Sequence, residues 1–203
     1  MAETLAPNHH AHHPGFAGLS GFLAAITFTR GRDADAALAI RLAQLTAGDR
    51  LVDIGSGPGV AARRGASLGA EVVAVDPSAM MLRVGRVTNR AKGLRYADGT
   101  AESLPVEDGW ASVVWSIATV HHWGDIDDGL REVRRILRPG GRFVVLERQV
   151  VAGATGLGSH GWTIEQAEAF ASACREIGFG DVAVEGPRQA GRRTLLAVTA
   201  IAG

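Results

Sequence analysis

The stretch that decides the fold is Leu51-Val52-Asp53-Ile54-Gly55-Ser56-Gly57-Pro58-Gly59. Its first four residues form an apolar run interrupted only by Asp53, which is typical of a strand buried on both faces of a sheet. Alternate glycines follow directly, and glycine lets a backbone turn tightly and approach a ligand where a side chain would fill the space. A helical pattern begins at Val60. The stretch therefore predicts a strand, a ligand-binding loop and a helix.

The following residues repeat this alternation of strand and helix. Short continuous apolar runs are predicted as buried strands, and helical periodicity fills the gaps between them. Because consecutive strands joined by a helix form right-handed crossovers, the alternation predicts a parallel sheet. The predicted strands are residues 51–54, 72–75, 113–115 and 143–146, and the predicted helices are residues 33–45, 60–68, 78–90 and 127–137, the last ended by Pro139-Gly140-Gly141.

The C-terminal part has a different pattern. A helix is predicted over residues 163–177, with Thr163 as its N-cap, and two strands follow at residues 182–185 and 194–199. Strands this close in sequence pair antiparallel. We expect an α/β, Rossmann-like three-layer sandwich, in which a mostly parallel seven-stranded sheet, one strand more than the six located here, is closed at one edge by an antiparallel C-terminal strand pair.

Length and composition limit the classes of protein that fit. The chain has 203 residues, so we expect a single domain over residues 31–203, preceded by an N-terminal arm at residues 1–30. Its 21 Lys and Arg residues balance 21 Asp and Glu residues, which disfavours a nucleic-acid partner. Cys174 is the single cysteine, and apolar runs stay far below the roughly 18 residues of a membrane span. We therefore expect a cytoplasmic protein without disulfides, export signal or membrane span.

An acidic residue ends the second predicted strand. Asp76 follows Gly59 by 17 residues, and an acid at this position accepts hydrogen bonds from ribose hydroxyls in nucleoside-binding α/β proteins. The alternative is structural: a glycine-rich turn beside an aspartate that caps the next helix. The combined strand, loop and acid favour a nucleoside ligand.

The glycine loop does not suit a pyrophosphate. The dinucleotide pattern G-x-G-x-x-G has its third glycine one residue later than Gly59, and Pro58 removes an amide donor. Asp53 would repel phosphate and attract an ammonium group. The residues therefore favour a ligand with a ribose and an amine but no phosphate, such as S-adenosylmethionine.

With these motifs the sequence resembles the class I S-adenosylmethionine-dependent methyltransferases, and among them the small type 11, ubiquinone/menaquinone biosynthesis-like group. The resemblance covers about residues 45 to 148. It is carried by Asp53-Ile-Gly-Ser-Gly-Pro-Gly59, Val75-Asp-Pro-Ser78, Gly99-Thr-Ala-Glu-Ser-Leu-Pro105, Val120-His-His-Trp123 and Glu132-Val-Arg-Arg-Ile-Leu-Arg-Pro-Gly-Gly141. It implies methyl transfer from S-adenosylmethionine to a small-molecule acceptor, with S-adenosylhomocysteine as the product.

The resemblance also implies a set of cofactor-binding residues. The glycine loop would face the methionine moiety, Asp76 the ribose, and Pro77 with Met80 the adenine. Thr100 stands where the family usually has an Asp, so either Thr100 supplies a neutral hydrogen bond or Asp98 reaches in, beside the backbone amide of Ala101. The implied set is Asp53, Gly55, Ser56, Gly57, Gly59, Asp76, Pro77, Met80, Gly99, Thr100, Ala101, Glu102, Ser116 and Ile117.

Two adjacent histidines are the candidate catalytic residues. His121 and His122 follow the predicted strand 113–115, at the sheet end where α/β proteins bind ligands, and imidazole titrates near neutral pH. Either could act as a general base. The alternative is that one of them hydrogen-bonds the loop backbone while Trp123 packs beneath the next helix.

The N-terminal region suggests a lid. His9, His10, His12 and His13 are followed by Pro14 and Gly15, a composition that predicts a flexible arm, and we expect no metal site. Residues 9–30 are predicted to close over the cofactor. The acceptor site would then be formed by this arm with loops 117–125 and 149–162, or be completed by a partner subunit in a homodimer.

Two other functions use the same motifs. A protein of this fold could bind the cofactor without catalysis, as a sensor or interaction scaffold. A nicotinamide-dependent oxidoreductase shares the sheet topology, but the early third glycine and Asp53 disfavour it. The sequence does not identify the acceptor or the atom that is methylated.

Overall fold

The computed structural model describes residues 6–9 and 32–203. Helices and strands alternate along most of this length. The helices are α1 (Arg32–Ala43), α2 (Val60–Ser67), α3 (Ala79–Thr88), α4 (Ile126–Ile136) and α5 (Ile164–Glu176), and the strands are β1 (Arg50–Ile54), β2 (Glu71–Asp76), β3 (Leu94–Asp98), β4 (Ala111–Ile117), β5 (Leu137–Arg148), β6 (Phe179–Ala190) and β7 (Arg193–Ala202).

The strands form a seven-stranded sheet in the order β3-β2-β1-β4-β5-β7-β6. The first five strands in this order run parallel, and β7 pairs antiparallel with both β5 and β6. The predicted fold class and the antiparallel strand pair at the sheet edge are therefore confirmed. Between β1 and β4 the strand order changes direction, and at such a point the flanking loops diverge and leave a crevice. We call the region between the loops that follow β1 and β4 the crevice.

The sheet is covered on both faces. On one face α1 and α2 pack on apolar residues such as Leu51 and Trp115, and on the other α4 and α5 pack on residues such as Phe143 and Val198. Because β1, β2 and β4 are buried on both faces, their sequences are mostly apolar, and the buried polar exceptions are Asp53, Asp76, Ser112 and Ser116. Among the described residues, no helix has the length and apolar character needed to span a bilayer.

The structure differs from the predicted elements in three places. Strand β6 is longer than the predicted strand at residues 182–185. Strand β3 was not predicted, because this edge strand reads Leu-Arg-Tyr-Ala-Asp and carries no apolar run. Helix α4 ends at Ile136, and Leu137 already pairs with Ala111. The Pro-Gly-Gly segment, predicted only as a helix stop, is therefore part of β5.

Candidate functional site

The glycine loop after β1 has an unusual backbone. Gly55, Gly57 and Gly59 have φ angles of 68°, 54° and 82°, a region that other residues adopt only with strain. A Cβ on Gly55 would overlap Thr119, and one on Gly59 would overlap Tyr96, whereas one on Gly57 would meet no atom within 4 Å. Both Gly55 and Gly57 were predicted to leave room for a ligand. Thr119 lies where a Cβ on Gly55 would be, and the predicted ligand contacts of both glycines stay predictions.

Asp76, at the end of β2, fixes the loop. Its Oδ2 accepts a hydrogen bond from the Gly57 N–H at 2.7 Å, and its Oδ1 accepts one from the Ser78 N–H at 2.9 Å. The side chain is 8% exposed. A carboxylate oxygen accepts hydrogen bonds from hydroxyl as well as from N–H groups. The acid is thus held in place beside the open face of Gly57.

Tyr96 on β3 supports the loop from behind. Its hydroxyl donates to the carbonyl oxygen of Asn89 at 2.8 Å, and the Asn89 side-chain amide donates to the Pro58 carbonyl at 2.9 Å. Burial, followed by the negative charge of Asp53, raises the pKa of Tyr96 to about 12. The phenol therefore stays neutral and remains a donor. Sequence reasoning missed Tyr96 because its strand was not recognised.

Asp53 lies in β1, two residues before Gly55, and is 2% exposed. It pairs in register with Ala74 of β2 and Trp115 of β4. Its negative charge is one of the causes that raise the pKa of Tyr96. The predicted role of Asp53, attraction of an amine on the ligand, stays a prediction.

The carboxyl end of β4 borders the same crevice. Ser116 is fully buried and its hydroxyl lies 3.1 Å from that of Thr119. Ala118 between them has φ 55°, a strained angle for a residue with a Cβ, and its N–H donates to Leu146 O at 2.7 Å. The chain thus turns sharply after Ile117, at the edge where β1 and β4 diverge.

The predicted catalytic histidines follow this turn in a short 3-10 helix, Val120–His122. His121 is 3% exposed, and its Nδ1 lies 2.9 Å from Oε2 of Glu147, a residue of β5 that is fully buried. The His121 backbone N–H points at the other carboxylate oxygen, at 3.4 Å. Glu147 therefore orients the imidazole. Trp123 is buried against Gly129 of α4, as the structural alternative predicted.

A third histidine joins the pair. His160 lies on the loop after β5, with its ring centroid 5.4 Å from that of His121 and 5.3 Å from that of His122. The His121 and His122 centroids are 4.2 Å apart. We call these three residues the imidazole cluster. Sequence reasoning placed His160 in a loop near the site but did not join it to the pair, because the contact spans 38 residues.

The described N-terminal residues lie beside this cluster. The Trp162 indole N–H donates to Pro7 O at 2.8 Å, and the Asn8 amide donates to the carbonyl oxygens of Trp123 and Gly124 at 3.1 and 3.2 Å. The His9 ring stacks on His121 at a centroid distance of 6.1 Å. Residues 10–30 of the predicted lid, including His10, His12 and His13, lie outside the described residues.

The segment predicted to border adenine has a visible structural role. Glu102 Oε1 accepts hydrogen bonds from the N–H groups of Gly124 and Asp125, at 2.6 and 3.1 Å, and so holds the start of α4. Thr100 is exposed and pairs with Ser103 in an isolated bridge, while Ala101 is buried. The predicted cofactor contacts of Gly99, Thr100, Ala101 and Glu102 stay predictions, as do those of Pro77, Met80 and Ile117.

Comparison with known proteins identifies the kind of domain that the chain resembles. Residues 52–145 match the family model described as "Methyltransferase domain". The ubiquinone/menaquinone biosynthesis C-methyltransferase UbiE of Rubrivivax gelatinosus is 38% identical over 111 residues, covering 53% of this chain and 43% of that protein. The 27-O-demethylrifamycin SV methyltransferase of Amycolatopsis mediterranei is 36% identical over 148 residues, 69% of this chain and 50% of that protein. The chain spans about half the length of these curated relatives.

A solved structure agrees with the topology. The SAM-dependent methyltransferase from Aquifex aeolicus superposes with a TM-score of 0.72 at 13% identity, over 89% of this chain and 98% of that chain. At this identity the likeness establishes the fold alone.

Proposed function

Because residues 52–145 carry a class I methyltransferase domain of the type 11 group, we propose that the chain transfers a methyl group from S-adenosylmethionine to a small-molecule acceptor. One observation carries the proposal: the Gly57 N–H holds the Asp76 carboxylate at 2.7 Å beside a loop face that is open at Gly57. This arrangement provides an acceptor for ribose hydroxyls and space for the ligand backbone to pass.

The chain's own groups fit the two ends of this cofactor. Asp76 would bind the ribose, and the buried carboxylate of Asp53 places negative charge where an ammonium group is attracted. Pro58 and Gly59 keep the loop free of the donor arrangement that selects pyrophosphate. When bound, S-adenosylmethionine supplies a methyl group on a sulfonium, and the C–S electron pair leaves with S-adenosylhomocysteine. The remaining members of the implied set, including Ser56 and Ser116, are proposed to line the same crevice.

Catalysis would depend mainly on positioning. Holding a nucleophile in line with a reactive carbon contributes on the order of 7 to 11 kcal/mol to a reaction of this kind. The acceptor is proposed to lie over the carboxyl ends of β4 and β5, beside the imidazole cluster. Glu147 fixes the ring of His121, and His121 or His122 would take the proton of an acceptor that carries a hydroxyl group.

The balanced charge supports a small molecule over nucleic acid as the acceptor. The single cysteine supports a reducing, cytoplasmic setting as part of the same proposal. The N-terminal residues that contact Trp162 and Gly124 would complete the acceptor pocket from above, with a second copy of the chain as the alternative source of that wall.

The first test is calorimetric titration of the protein with S-adenosylhomocysteine. We expect binding, and an absence of binding would overturn the proposal. The second is consumption of S-adenosylmethionine, followed by mass spectrometry, over a panel of phenol, enol, amine and thiol acceptors. Binding of S-adenosylhomocysteine without turnover on any acceptor would favour the non-catalytic sensor. His122→Ala tests the proton acceptor: unchanged turnover with unchanged S-adenosylhomocysteine affinity would remove that role.

A further inference from the structure

We propose that the imidazole cluster, His121, His122 and His160, is a binding site for a divalent transition-metal ion. One nitrogen from each ring can be chosen so that all three lie within 4.8 Å of one another. No metal site is predicted from the sequence, because the four histidines of residues 9–13 lack a carboxylate or cysteine nearby. The structure places a different set of histidines together.

The distances are close to those of a metal site. Zinc binds imidazole nitrogen at about 2.0–2.1 Å, so nitrogens that share one ion lie roughly 3–4 Å apart. The cluster needs a contraction of about 1 Å to reach this range. His122 and His160 are both partly exposed, so rotation of their side chains can supply the movement without disturbing the core.

Glu147 supplies the outer support that metal-binding histidines usually have. Its carboxylate accepts from His121 Nδ1 at 2.9 Å, which places the proton on Nδ1 and the ring lone pair on Nε2. Such carboxylate–histidine pairs orient the ring and increase its basicity as a ligand. Glu147 is also fully buried, and a cation bound next to it would compensate a negative charge that water does not reach.

The loop that carries His160 is held against β5. The Arg148 guanidinium donates to the carbonyl oxygens of His160 and Gly158 at 3.1 and 2.9 Å. The backbone N–H of Trp162 donates to the backbone carbonyl oxygen of Arg148 at 2.8 Å. Gly161 between them has φ 145°, and a Cβ there would overlap the Arg148 carbonyl. The loop therefore approaches β5 as closely as the backbone permits, which fixes the position of His160 relative to β4.

His9 is adjacent to the cluster but is not one of its proposed ligands. Its Nε2 lies 3.0 Å from Ser159 O, and its Nδ1 lies 3.1 Å from the Gln166 side-chain nitrogen. Both ring nitrogens are thus directed to groups outside the cluster. The proposed ion has three protein ligands, the number found in catalytic zinc sites that keep a position for water or substrate.

The chemistry of the ligands defines the metal and the molecule it would bind. Imidazole favours zinc, copper, nickel and iron over magnesium and calcium, which prefer oxygen. The cluster lies at the end of β4 that borders the cofactor crevice, so an open position on the ion would face the acceptor side. This inference rests on the proposed function. The acceptor would be a molecule with a hydroxyl or thiol group that coordinates a divalent ion. The metal site and the proton-acceptor role proposed above for His121 or His122 are alternatives, because a ring nitrogen that binds the ion cannot also accept a proton.

The test uses the full chain carrying His10→Ala, His12→Ala and His13→Ala, so that the other N-terminal histidines do not bind the probe. The protein is treated with chelator, dialysed against Zn²⁺ or Co²⁺, and measured by elemental mass spectrometry and, for Co²⁺, visible absorption. We expect about one ion per chain and a spectrum of low coordination number. His122→Ala and His160→Ala should each abolish stoichiometric binding, and His9→Ala should leave it unchanged. Glu147→Gln should weaken it by about 10–100-fold.

Two results would overturn the site: the parent chain binds no ion, or it keeps one ion after His122→Ala and His160→Ala are combined. Thermal melting confirms that each variant is folded, and titration with S-adenosylhomocysteine is run on the same samples. A chain that binds S-adenosylhomocysteine but no ion rejects the metal site and keeps the proposed function. A chain that binds the ion but not S-adenosylhomocysteine keeps the metal site and rejects the proposed function. Turnover that survives removal of the ion would separate the site from acceptor binding.

Discussion

The backbone N–H of Gly57 donates to Asp76 Oδ2 at 2.7 Å. This bond joins the loop after β1 to the end of β2, so the two motifs that the sequence placed 19 residues apart form one rigid edge of the crevice. The open face of Gly57 and the acidic side chain therefore have a fixed mutual position before any ligand arrives, and each can be tested separately.

Asp76→Asn should weaken binding of S-adenosylhomocysteine by about 10–100-fold, because a hydrogen bond to a charged group is worth about 1.5–3 kcal/mol. Isothermal calorimetry measures the change. Glu71→Gln is the matched control, since Glu71 is an exposed acid at the opposite end of the same strand. Equal losses in both variants would mean that Asp76 does not contact the ligand.

Gly57→Ala should weaken S-adenosylhomocysteine binding as well as lower the thermal stability of the protein. The new methyl group enters space that is open in the chain itself, and φ 54° costs roughly 1–2 kcal/mol for a residue with a Cβ. Gly140→Ala is the control: that glycine has φ 73° and also has no atom within 4 Å of an added Cβ, but it lies near the start of β5. We expect similar losses of thermal stability and weaker S-adenosylhomocysteine binding in Gly57→Ala alone.

Deletion of residues 1–30 should lower turnover by at least about tenfold, because residues 6–9 contact Trp162, Gly124 and His121 at the acceptor side of the site and closure excludes water. Steady-state kinetics and S-adenosylhomocysteine titration measure the two effects separately. Asn8→Ala, which removes the hydrogen bonds to Trp123 and Gly124, should give a smaller change in the same direction. Full activity in the truncated chain would reject the lid.

Asp49→Asn should destabilise the fold at neutral pH by about 1.5–3 kcal/mol. Burial opposes ionisation of Asp49, but hydrogen bonds from Ser112 and Thr46 and the charge of Arg142 outweigh it and lower the pKa of this carboxyl. A lowered pKa stabilises the folded state above the ordinary Asp pKa of about 3.9, and this contribution is lost as the pH falls through the lower folded-state value.

Urea unfolding at pH 7 and at acidic pH measures the difference, which should shrink toward zero at the lower pH. Asp108→Asn serves as the control, because Asp108 pairs with Arg135 at 80% side-chain exposure and should contribute at most about 1 kcal/mol. If the destabilisation by Asp49→Asn did not change with pH, the charge of Asp49 would not contribute to the free energy of unfolding.

Cys174 should be unreactive in the folded protein. Its side chain is fully buried in α5, and burial raises the pKa of its thiol to about 12. Because the thiolate is the reactive form, a thiol reagent at pH 8 should label it only as fast as the protein opens. Labelling that follows urea unfolding supports this, and rapid labelling in native buffer would contradict it.

Much of this fold follows from local pattern. Strands β1, β2 and β4 are buried on both faces and therefore carry predominantly apolar runs that the sequence displays directly. Edge strand β3 has no such run, so its existence depends on pairing with β2 and is not visible in residues 94–98 alone. The tyrosine that supports the glycine loop was missed for the same reason.

The sequence by itself determined the strand–loop–helix unit at residues 51–67, the acid at the end of β2 and the histidine pair after β4, because each is set by neighbours within a few residues. Only the tertiary structure decided which side chain fills the space at Gly55, that Glu147 orients His121, and that His160 joins the pair. These contacts join residues separated by 26 to 64 positions. Their geometry depends on how strands align in the sheet and on how the loop after β5 returns to it, which no local spacing encodes.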